Sequence, residues 1–110
     1  GYKLRVGGKI FSEEVRVQLQ ANWPDYVFKK DYKLMSLPEL EKFINTNNHL
    51  PGLKPAAEVE KEGSDLGETQ RKLLEKVEEL TLYLIEANKK IDDLQKKVKG
   101  MESASGKINN

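Results

Sequence analysis

Side-chain catalysis needs a nucleophile, a base or a pair of acids held within hydrogen-bond reach of one another, and few residues of this chain qualify. Its only histidine, His49, lies in Asn48-His49-Leu50-Pro51-Gly52, a turn sequence in which no second member of a triad is visible, so a structural role is expected. One histidine and no cysteine cannot supply a zinc-ligand set, and neither a metal nor a cofactor is expected. The acidic pairs Glu13-Glu14, Glu78-Glu79 and Asp92-Asp93 are sequence neighbours. Neighbours on a helix do not share a face, so the last two pairs are poor acid–base dyads, and all three read as solvated surface. Gly7-Gly8 is too short to cradle a phosphate and reads as a hairpin turn. Trp23, Tyr26, Phe28 and Tyr32 cluster closely. They admit two readings: a stacking platform whose ligand face would be Trp23 and Tyr26, or an aromatic core.

The bulk properties point away from nucleic acid and membranes. Of 110 residues, 19 are Lys or Arg and 18 are Asp or Glu, interspersed, for a formal net charge of +1. No large single-sign field results, so no nucleic-acid partner is expected. No apolar run approaches the roughly 20 residues that span a bilayer, and no signal peptide is recognisable. The hydrophobic content of 37% is low for a globular domain, which favours stabilisation by self-association. The chain opens abruptly with Gly1 followed by strand-like sequence, which reads as a cloning remnant on a piece of something longer.

Local patterns divide the chain. Tyr2, Leu4 and Val6 alternate with Lys3 and Arg5, as a half-buried strand would. Lys9 to Phe11 would return after the glycine turn, and Val15, Val17 and Leu19 alternate with Glu14, Arg16, Gln18 and Gln20. Asn22-Trp23-Pro24-Asp25 breaks this pattern, and Tyr26 to Phe28 reads as a short extended piece. Ser36 and Glu39 have capping-box spacing around Pro38, predicting a helix with Leu37, Leu40, Phe43 and Ile44 on one face and an end at Asn45 to Asn48. Pro55 to Glu62 predicts a second short helix, stopped by Gly63. Asp65 with Glu68 predicts the cap of a third, running about 50 Å to Gly100. The resulting organisation is β segments over 1–21, a small head with short helices over 22–64, a long helix over 65–102 and a frayed polar tail over 103–110. The fold class is α+β, with a β-hairpin head on a coiled coil.

The long segment carries the strongest pattern. With Gln70 at heptad position a, the a positions continue as Val77, Leu84, Ile91 and Val98, and the d positions are Leu66, Leu73, Leu80, Ala87, Leu94 and Met101. About five unbroken heptads exceed the three or four that mark a coiled coil. The stripe is therefore expected to bury itself against copies of the same chain. Leu82 at f and Ile85 at b face away from such a seam, so the head, through Leu40, Phe43 and Ile44, is expected to cover them. β-branched residues at a favour dimers, whereas Leu74 at e and Tyr83 at g widen the seam and favour more strands. Lys97 with Glu102 is the one opposite-charge g–e pair, so charge does not set strand orientation. These residues leave dimer and trimer both open.

A resemblance adds to this reading. Tyr2-Lys3-Leu4-Arg5-Val6-Gly7-Gly8-Lys9-Ile10 resembles the last strand unit of repetitive fibre proteins. Trp23-Pro24-Asp25-Tyr26-Val27-Phe28, His49-Leu50-Pro51-Gly52, Leu66-Gly67-Glu68 and Leu73 to Tyr83 resemble a C-terminal region of surface and tail-fibre-like proteins of Bacteroidetes. The whole is similar to the intramolecular chaperone domains of phage tail spikes and fibres. That resemblance implies a parallel homotrimer, with a dimer as second choice, closing an upstream fibre of the same chain at an extracellular or particle surface. Some members cleave themselves with a Ser-Lys dyad. Here the nearest equivalents are Ser12 and Lys9, and the Ser-Asp start with a downstream lysine is missing, so only the assembly role carries over. The leading expectation is a non-catalytic oligomerisation and registration module. Its rivals are a glycan- or receptor-binding tip using Trp23 and Tyr26, and a self-cleaving chaperone using Ser12.

Overall fold

The computed structural model describes residues 1–19 and 21–108. Among them the order is a 3₁₀ turn at Tyr26–Phe28, then α1 (Leu37–Asn47), α2 (Ala56–Glu62) and α3 (Leu66–Ile108). The described residues contain no strand, and every regular element among them is helical, which overturns the α+β expectation. Residues 1–19 run without secondary structure, and Tyr2, Leu4, Ile10 and Phe11 are exposed. The reason is that alternation specifies a strand only where a second strand meets its backbone donors and acceptors, and a lone two-stranded hairpin is marginal in water. Tyr26 to Phe28 likewise form a 3₁₀ turn rather than an extended piece, with Lys29 N donating to Tyr26 O at 3.2 Å. The expectation for Gln20 falls outside the described residues.

The helices start where their caps place them. Ser36 Oγ accepts from Glu39 N at 3.3 Å, and Pro38 sits in the first turn, where its missing N–H costs nothing. Asn48 ends α1 in the left-handed conformation at φ 60°. Gly63 ends α2 at φ 77° and ψ −176°, a region essentially reserved for glycine. Asp65 O accepts the first bond of α3 from Thr69 N at 2.9 Å. α3 runs on through 103–108, where the sequence suggested fraying, because no proline interrupts the hydrogen-bond ladder there. Asn109 and Asn110 lie outside the described residues.

Burial along α3 has the period of the helix. Arg71, Glu75, Glu78 and Leu82 are buried or half-buried, whereas Leu66, Gln70, Leu73, Val77, Leu80 and Leu84 are exposed. The head thus packs on the face opposite the heptad stripe. Beyond Ile85 every described side chain is exposed. The molecule measures 80 × 31 × 30 Å and exposes 10294 Å². A compact monomer of this 12.6 kDa mass exposes only about 6,200 Å².

The N-terminal segment meets the helix at Gly67, which is buried. A Cβ there would lie 2.5 Å from Val17 Cγ1 and 3.2 Å from Leu19 Cδ2. Glycine is thus needed for close approach. Gly67→Leu is expected to push Val17 and Leu19 off α3 while leaving the helix formed. Trypsin cleavage after Arg16 should accelerate about tenfold, while helical circular dichroism stays constant.

Candidate functional site

Two faces of α3 carry the molecule's features. The stripe residues Leu66, Leu73, Val77, Leu80, Leu84, Ile91, Leu94, Val98 and Met101 are each 50–73% exposed, and Ala87 is exposed as well. Contiguous exposure of this many large apolar side chains is uncommon on monomeric proteins. They form a continuous apolar ribbon along one side of a helix whose other faces are charged or, near the head, covered.

The covered face is a latch of tyrosines on carboxylates. Tyr26 OH donates to a Glu75 carboxylate oxygen, Tyr32 OH donates to Glu79 Oε2 at 2.7 Å, and Tyr83 OH donates to Met35 O at 2.5 Å. Arg71 grips Glu68 with Nε at 3.1 Å from both oxygens. Its Nη1 also donates to Tyr26 OH at 3.2 Å and Asn22 O at 3.4 Å. Lys76 Nζ binds Glu79 at 2.9 Å and Glu75 at 3.4 Å. The Tyr26 and Tyr32 rings lie 6.0 Å apart, and Val27 between them in sequence is the one buried residue of the 3₁₀ turn. Hydrogen bonds to charged groups are worth about 1.5–3 kcal/mol, more than neutral ones.

Glu78 sits beneath this latch at 5% exposure, and its Oε1 has no hydrogen-bond partner. Burial, then the negative charges of Asp25 and Glu75, push its carboxyl above the usual range. Glu78 and Glu79 are therefore head-covered residues, not the solvated pair expected from the sequence. Glu75, Glu78 and Glu79 share a face at i, i+3 and i+4 opposite the stripe, and that spacing was the available signal.

The tyrosines titrate late. Burial, then the hydrogen bond to Glu75 and its charge, push Tyr26 up to about 12 from 10.0, against the opposing pull of Arg71. Tyr32 is raised further by burial and Glu79, and Tyr83 is raised by burial and the charges of Glu79, Glu39 and Glu86. A folded-state value above the unfolded one means that the stability is complete below the unfolded value and is lost above it. Head stability is therefore expected to hold to about pH 10 and fall between there and about pH 12. Thermal melts followed by near-ultraviolet dichroism check this, and Tyr32→Phe should flatten the slope.

Trp23 is 53% exposed, but the Tyr26 hydroxyl is bonded to α3, so the two do not form one open ligand face. Ser12 and Lys9 are both exposed on the extended segment, whereas a lysine base needs burial. His49 lies edge-on to Phe43 at 5.5 Å, with Nδ1 2.9 Å from Leu50 O. Leu82 is half-buried under the head, but Ile85 is 46% exposed. Leu74 and Tyr83, which widened the seam on paper, are half-buried, and the Tyr83 hydroxyl is held by Met35. Among the described residues there is no acidic or histidine cluster suited to a metal ion, and no helix long and apolar enough to cross a membrane. Comparison with protein families, curated proteins and solved structures finds no match to this chain.

Proposed function

We propose that the chain is a self-association module, in which copies of it bury the leucine-valine stripe of α3 in a parallel coiled coil. One observation carries the reading: the head packs on the charged face of α3 and leaves every large a and d side chain bare. A stripe repeating every 3.5 residues matches the surface of another helix supercoiled to the same repeat, and the chain's own copies offer that partner at every collision. The distal half supports this too. A helix with no tertiary packing is marginal in water, and from Asn88 to Met101 the apolar residues fall on the stripe, which is the surface on which that half can be stabilised.

The role is to hold chains level. Fixing a and d layers sets which residues of neighbouring chains lie side by side, and it raises the effective concentration of whatever the chains carry. A homotrimer is the state favoured by the likeness to fibre-assembly domains, with a dimer second. Sedimentation equilibrium at low micromolar concentration tests this. A mass of three times the 12.6 kDa chain is expected; a single-chain mass would overturn the reading.

A further inference from the structure

In a parallel coiled coil the g flank of one helix faces the e flank of the next, and long charged side chains at g normally reach across. Here they do not. Lys76, at g, turns back to Glu79 and Glu75 and is only 16% exposed. The turn at 50–52 lies over it, so that a Cβ on Gly52 would be 4.0 Å from Lys76 Nζ. Tyr83, the next g residue, is held by Met35. The head has thus taken over the g flank. Between these two residues Met35, Leu40, Leu50 and Pro51 join Leu80 around a cavity of about 100 Å³. Leu50 and Leu80 on its rim are 40% and 63% exposed, so it opens beside the stripe. Its volume is that of about three waters, enough for the tip of an aliphatic side chain.

The opposite flank carries the complement. Thr81, at e, is exposed and lies level with this cavity. Ile85, one turn on at b, is too far round the helix to join its own seam and is 46% exposed. We infer that the Leu40-Leu50-Pro51 groove of each chain docks on the edge of the neighbouring helix that carries Thr81 and Ile85, so that the head is part of the oligomer interface. This rests on the self-association reading and deepens it. Docking requires neighbouring helices to run parallel and in register, which their edge charges leave open.

The chain has no cysteine, so engineered thiols report cleanly. Two double variants, Leu50→Cys with Thr81→Cys and Leu50→Cys with Ile85→Cys, are sedimented reduced and then oxidised. The expected result is an oligomer when reduced, and a disulfide between chains in at least one variant, giving covalent multimers on a non-reducing gel. An oligomer that forms no disulfide, or only one closed within a single chain, overturns the docking and leaves self-association standing. A reduced sample that is monomeric, like the unmodified chain beside it, removes the reading on which the docking rests.

Discussion

Leu94→Asp is expected to leave the chain monomeric at concentrations where the unmodified chain is fully associated. Leu94 is a d residue, 59% exposed in the single chain and remote from the head. The substitution therefore costs the isolated chain little, whereas association would bury an unpaired carboxylate in every copy. That penalty is about 3 kcal/mol or more per chain, at least a hundredfold in the dissociation constant. Two measurements separate this from misfolding. Sedimentation should report the single-chain mass, while near-ultraviolet dichroism from Trp23 and the latched tyrosines should stay unchanged. Far-ultraviolet dichroism should fall, because residues from Asn88 onward lose the packing that holds them helical. A Leu94→Asp variant that associates as the parent does would refute the buried seam. A variant that loses its head signal would show Leu94 supporting the single-chain fold instead.

Glu78→Met is expected to stabilise the head. The wild-type carboxylate is nearly enclosed, has one unpartnered oxygen and faces the charges of Asp25 and Glu75. An unsatisfied buried polar group costs about 1–3 kcal/mol, more when charged. Methionine fills a similar unbranched volume without that cost, and a rise in melting temperature of about 5 °C or more at neutral pH follows. The pH dependence gives an independent check. A carboxyl raised in the folded state binds its proton more tightly there than in the unfolded chain. Stability therefore grows as pH falls through the folded value towards the ordinary 4.5, and declines as pH rises. Glu78→Met should abolish that gain on acidification. If wild type and variant melt alike across the acid range, Glu78 is not enclosed as described.

What the sequence revealed and what it hid divide along a physical line. Ser36 with Glu39, Gly63 and the uninterrupted run from Leu66 are local signals, since caps and helical period are set within a few residues, and the helices lie where those signals placed them. The stripe was legible for the same reason: its spacing is a property of one helix. The hairpin was not, because Tyr2, Leu4 and Val6 alternate correctly but strand formation depends on a partner that alternation does not name. The tyrosine latch was hidden by distance, since Tyr26 and Tyr32 meet carboxylates 49 and 47 residues away. Charged residues on the covered side of α3 also gave no apolar pattern to read, and Glu78 looked like surface because nothing local announced that a 3₁₀ turn would cover it.

Where Val17 and Leu19 cross Gly67 would also set the order in which the molecule opened if its N-terminal segment were pulled. A pull on that segment would reach the first turn of the long helix at the crossing, and the head would lie beside the line of tension. Traction would therefore strip two aliphatic side chains from a glycine before it strained the phenol–carboxylate bonds. Only after that contact gave way would the head begin to peel from the rod.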